Sequence, residues 1–160
     1  MRMLSLLAAC LFATNVALSA PGTGCATPQT YCTAKVAASG CMPSIGYIGT
    51  PGSSDFRITT TGVSRGKLGI LFLARGQAST PFLGGTLCTT APIQRIAPQF
   101  STTGIQCSAT LSFPFGRDRM MRFGVQTNET LYAQVYFRDP DQADGTGTGL
   151  SDGLAITFCP

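Results

Sequence analysis

With 160 residues the chain holds one domain's worth of sequence. It has no histidine, which excludes Ser-His-Asp and Cys-His nucleophilic machinery, imidazole zinc sites and histidine general bases together. Its net charge of +4 is too weak and too scattered to imply a nucleic-acid partner.

The chain opens with Arg2 and then LSLLAACLFATNVALSA, an apolar run that ends in small residues. A basic start, apolar middle and small-x-small exit are the layout of a secretory signal peptide. Residues 1–19 are therefore expected to be a leader and 20–160 a secreted or cell-surface domain. Cleavage after Ser19 is preferred to cleavage after Ala20, because Pro21 directly follows the second site. Lipoprotein processing at Cys10 competes less well, since only about six apolar residues precede it where roughly 7–15 are expected. No membrane span is expected: the run holds Thr14 and Asn15 and no stop-transfer charges follow it.

Past the leader, Gly, Pro, Ser and Thr recur every few residues, and no stretch sustains a helical apolar period. Short apolar or alternating runs at 55–62, 67–74, 85–90, 91–98, 107–113, 131–137 and 153–158 read as antiparallel strands. The clearest is LYAQVYF, with Leu131, Ala133, Val135 and Phe137 on one face and Tyr132, Gln134 and Tyr136 on the other. It should pair with GLAITF at 153–158. GILFL, within 67–74, does not alternate and should lie mid-sheet, covered on both faces. The Gly- and Pro-rich stretch from Ser44 to Ser54 reads as a surface loop. The expected architecture is a single antiparallel β-sandwich, jelly-roll-like or immunoglobulin-like.

Six cysteines follow the leader: Cys25, Cys32, Cys41, Cys88, Cys107 and Cys159. An even count in an exported chain reads as three disulfides, and sequence alone does not choose among the 15 pairings. The pairing expected here is Cys32–Cys41, Cys88–Cys107 and Cys25–Cys159, the last tying the domain's ends together. None lies in a C-x-x-C pair, so neither a thiol redox site nor a zinc ribbon is supported.

The segment FRDPDQADGTGTGLSD, 137–152, looks most like chemistry. Asp139, Asp141, Asp144 and Asp152 are candidate calcium ligands on a flexible loop. Their spacing departs from D-x-D-x-D-G, no Glu closes the loop, and Asp, Pro and Gly are also what turns select. The favoured reading is a hairpin loop, with calcium as the competing one. GTGTG is no phosphate cradle, because it runs into a strand and not a helix. Glycoside hydrolysis would need two carboxylates roughly 5–10 Å apart, drawn from Glu129 and the six Asp. A Ser–Lys pair would have to use Lys35 or Lys67, neither in a nucleophile motif.

Three surface features complete the reading. RDRMMR, 117–122, is a basic patch able to meet an anionic polymer, though Asp118 sits inside it and a solvated loop or edge explains it as well. Tyr132, Gln134 and Tyr136 could stack on and hydrogen-bond a glycan. The competing reading has that face covered. Asn128-Glu129-Thr130 is a glycosylation sequon, relevant only to a host with an endoplasmic reticulum.

YCTAKVAASGCMPSIGYIGTP at 31–51, TPFLGGTLC at 80–88 and VYFRDPDQADGTGTGLSDGLAITFCP at 135–160 resemble uncharacterised exported proteins of planctomycete-type and myxobacterial bacteria. These carry a YC…GC-P-I…G-P opening, a P-F-x-G-G-x-L-C centre and an R-D-P…L-S-D-A-L closing element; Gly153 stands here where Ala is common. The resemblance implies a bacterial, extracellular, disulfide-containing β module and no particular activity. The variable R-D-P…L-S-D interval of such proteins argues against a fixed metal site. The reading is therefore a non-catalytic binding or structural module without a cofactor, whose ligand the residues do not identify, a glycan or an envelope protein being the candidate partners. The alternatives are a small hydrolase using Asp carboxylates and a calcium-stabilised adhesion domain.

Overall fold

The computed structural model describes residues 25–159; the expected leader and Cys10 lie outside that range. Among the described residues the chain forms β1 (Gln29–Tyr31), β2 (Ser44–Ile48), β3 (Arg57–Val63), β4 (Leu68–Ala74), β5 (Gln77–Phe82), β6 (Gly85–Thr89), β7 (Gln94–Phe100), β8 (Ala109–Pro114), a short helix α1 (Arg117–Arg122), β9 (Thr130–Arg138) and β10 (Thr148–Thr157). One antiparallel sheet has the order β1-β10-β9-β4-β7, a second the order β2-β3-β8, and β5 and β6 pair as a hairpin. The fold is thus the expected disulfide-linked, antiparallel all-β sandwich.

Alternation builds the core. Leu131, Ala133, Val135 and Phe137 of β9 are buried with Leu154 and Ile156 of β10 and Leu71 and Leu73 of β4. They join Ile58 of β3 and Leu111 and Phe113 of β8 in one cluster between the sheets. At roughly 1.5–3 kcal/mol per fully buried large apolar side chain, this layer is the main favourable term in folding. As expected for its unbroken apolar run, β4 lies inside the sheet between β9 and β7. Its Phe72 points away from the core and is still only 6% exposed, covered by Tyr136 and Arg95.

Four expectations need correction. Ser44–Ile48 is not loop but the edge strand β2, whose apolar members Ile45, Tyr47 and Ile48 are interrupted by Gly46. RDRMMR is neither loop nor strand but α1, too short to display a helical period, with Met120 buried on its inner side. The short β1 and the polar β5 carry too little apolar pattern to be read as strands. Finally, β10 begins at Thr148, ahead of residue 153. A bulge explains this: Leu150 pairs with Tyr136 and Gly153 with Gln134, so β10 spends three steps where β9 spends two. The extra residue shifts the phase of alternation and hides the first half of the strand.

Two close approaches in β10 require glycine. A Cβ on Gly149 would stand 2.1 Å from the Phe137 ring packed over it. A Cβ on Gly153 would stand 2.5 Å from the ring of Tyr31, whose hydroxyl is anchored to the Cys88 carbonyl at 2.6 Å. Alanine at this position would displace that ring.

All six cysteines are paired: Cys25–Cys159, Cys32–Cys88 and Cys41–Cys107. The first joins the domain's ends as expected, while the other two differ from the sequence-based pairing. Strands β2 and β8 both run antiparallel to β3, so their starts lie at the same end of the small sheet. Cys41 and Cys107 precede those starts. Cys88 belongs to β6, which lies over β9 and β10 and so meets Cys32 just after β1.

Candidate functional site

The acidic segment is the β9–β10 connection, a hairpin loop, and its carboxylates point to different partners. The Asp139 side chain is 1% exposed; Oδ1 receives Lys67 Nζ at 2.7 Å and Oδ2 receives the Ala38 amide at 2.7 Å. Asp144 receives Lys35 Nζ at 2.6 Å together with the amide and hydroxyl of Thr146. Those bonds, Lys35 first, lower its pKa to about 2. Asp152 sits in the bulge, where Oδ1 receives the Ile45 amide at 2.7 Å and ties the large sheet to β2. Burial raises its pKa against the pull of that bond. Asp141 is exposed. Among the described residues no three Asp, Glu, His or Cys are placed to hold a metal, so the candidate calcium ligands Asp139, Asp141, Asp144 and Asp152 are not gathered at one point.

Both lysines considered for Ser–Lys chemistry are likewise engaged. Lys35 Nζ donates to the Leu83 carbonyl at 2.8 Å and the Thr146 hydroxyl at 2.7 Å, joining the β5–β6 tip to the β9–β10 loop. Lys67 Nζ is bound to Asp139. Glu129 pairs with Arg75 at 2.7 Å and accepts from the Gln126 amide. Among five prominent clefts on the described surface, Asp118 is the lone carboxylate in any lining.

The aromatic stripe on β9 is divided by the β5–β6 hairpin. Gln134 at its centre is fully buried; it donates to the carbonyls of Thr86 and Ser151, each at 2.8 Å, and accepts from the Cys88 amide at 2.9 Å. It is a structural pin and not a glycan contact. Tyr132 packs edge-on against Tyr31, with ring centres 5.8 Å apart. Burial, and then the neighbouring Tyr132, pushes the Tyr31 phenol upward. On the other side of the hairpin, Tyr136 stacks on Phe72 at 5.7 Å, with the Arg95 guanidinium 5.7 Å from the Phe72 ring.

Tyr136 also lines the largest of these five clefts, about 550 Å³, with Arg65, Lys67, Arg138, Thr146 and Gly147. Pairing of β4 with β9 builds this site: Gly69 opposite Phe137 brings the start of one strand beside the end of the other. The β3–β4 turn then supplies Arg65 and Lys67, and the β9–β10 loop supplies Thr146 and Gly147. Polar contacts make the frame rigid. Ser101 Oγ receives the Lys67 amide at 2.9 Å and donates to the Ser64 carbonyl at 2.9 Å. Asp139 donates its amide to the Gly147 carbonyl at 2.9 Å. The sequence reading missed Arg65 and Arg138, which are 73 positions apart; the available signal was a basic residue flanking each of two expected strands. Asn128 of the sequon is exposed in the turn before β9.

No protein-family model, curated protein or solved structure matches the chain.

Proposed function

We propose that this chain is a non-catalytic module working outside the cell or at its surface, where it binds or holds a glycan or an envelope protein. The observation that carries this reading is the use of the acidic side chains. Asp139, Asp144, Asp152 and Glu129 each accept from a cation or an amide of their own chain, and no cleft described above presents two of them together. A glycosidase needs two carboxylates facing one bond, roughly 5–10 Å apart. Ion pairs and amide contacts of this kind instead brace loops against strands. Three disulfides suit an oxidising, extracellular compartment.

The test is prolonged incubation with neutral and acidic polysaccharides, followed by chromatography of chain length and by affinity electrophoresis. Retention of a polysaccharide with unchanged chain length is expected. Release of fragments that disappears in a Glu129→Gln or Asp118→Asn variant would overturn the non-catalytic reading.

A further inference from the structure

We propose that the cleft between the β3–β4 turn and the β9–β10 loop binds the carboxylate or sulfate groups of an acidic polysaccharide, a proposal that rests on the binding-module reading above. Charge is the first argument. Arg65 and Arg138 are exposed on the cleft, neither has an ion-pair partner among the described residues, and no carboxylate lines it. The ammonium of Lys67 is matched by Asp139 beneath it, so the two guanidinium groups supply the net positive charge. Guanidinium presents a planar fork that grips carboxylate or sulfate through two parallel bonds.

Shape is the second argument. A volume of about 550 Å³ falls within the range of small-molecule sites and exceeds what a lone ion needs. Tyr136 forms a fixed wall because Phe72 supports its ring. Thr148 Oγ1, 3.5 Å from the Tyr136 hydroxyl, gives its single proton to the Thr146 carbonyl at 3.1 Å, so no short bond among the described residues competes with a sugar oxygen for that hydroxyl. The braced turn and loop hold these groups in place before the ligand arrives, which lowers the ordering cost of binding.

Topology separates a glycan from an acidic peptide. The cleft lies at the ends of β4 and β9, both interior strands with both backbone edges already paired. An extended peptide therefore has no open edge there to join as an added strand.

Binding of the oxidised protein to polygalacturonate, dextran sulfate, uncharged dextran and poly-glutamate tests the proposal. Both acidic polysaccharides should bind and dextran should not; the tighter of the two identifies the preferred anion. The double variant Arg65→Gln/Arg138→Gln should weaken both by about tenfold or more, and Arg65→Lys/Arg138→Lys, which keeps the charge but loses the fork, by a smaller factor. Arg117→Gln/Arg122→Gln on α1 removes the same charge elsewhere and should change binding by less than about twofold. An equal loss in the α1 variant would reduce the effect to net charge and overturn the site. Poly-glutamate binding as tight as polygalacturonate at matched charge density would overturn the glycan assignment. No binding to any polyanion by protein with wild-type circular dichroism would overturn the cleft altogether. Chain shortening in the same samples would refute the non-catalytic reading separately, whatever the binding result.

Discussion

Asp144 in the β9–β10 loop and Asp152 in the β10 bulge respond to acid in opposite directions. Burial raises Asp152, so its protonated form favours the fold: its contribution is full below the unfolded carboxylate value of about 3.9 and is lost as pH rises through the folded value. Asp144 is lowered to about 2 by Lys35 and Thr146, so its contribution is present above about 3.9 and fades as pH falls through about 2. Asp152→Asn keeps an oxygen to accept the Ile45 amide but removes the buried charge. It should melt at or above the wild-type temperature at pH 7, and the difference should close as pH falls toward 4; thermal denaturation by circular dichroism across that range checks both. Gly153→Ala is the second prediction at this scale. The new methyl meets the anchored Tyr31 ring, and overpacking of this kind costs about 1–3 kcal/mol. Urea titration should show that loss, and an unchanged midpoint would mean that the ring moves freely.

At the scale of elements, the β5–β6 hairpin and the β9–β10 loop are held by polar pins and not by apolar pattern. Gln134 is the pin for the hairpin. Gln134→Leu would leave the Cys88 amide and the carbonyls of Thr86 and Ser151 without their partner, a cost of about 3 kcal/mol. Hydrogen exchange should show lost protection concentrated at Thr86 to Cys88; uniform loss would assign Gln134 to the general core. For the β9–β10 loop, dispersal of Asp139, Asp144 and Asp152 to Lys67, Lys35 and Ile45 predicts no calcium dependence. The melting temperature should match in excess calcium and in chelator, and a rise of several degrees with calcium would contradict that dispersal.

These pins also explain what could be read from the sequence. Strands that bury one face, such as β3, β4, β8 and β9, announce themselves by alternation or by an unbroken apolar run. The first half of β10 was hidden by a bulge, β2 by its Gly and Pro neighbours, and β5 by exposure of most of its side chains. Gln134 looked like a surface residue because alternation places it opposite the core, and nothing local shows that a hairpin lies over that face. The acidic segment was legible as a hairpin loop, but the identity of each partner depended on contacts across more than 70 positions.

Across the described residues, the three disulfides and the buried ties between loops brace a scaffold with a basic cleft at the ends of β4 and β9. Connectivity could not be read from cysteine spacing, since Cys41 meets Cys107 only because β2 and β8 begin at the same end of the small sheet. The basic cleft escaped for a related reason: Arg65 and Arg138 are unremarkable alone and become neighbours when β4 pairs with β9. The most direct measurement of this account is a two-dimensional amide NMR titration of the oxidised protein with short polygalacturonate chains. Shifts should cluster at Arg65 to Leu68, Tyr136 to Arg138 and Thr146 to Gly147, with α1 and the Tyr31–Tyr132 side unmoved. Shifts centred on α1 or Tyr132, or a spectrum unchanged at saturating polygalacturonate, would contradict it.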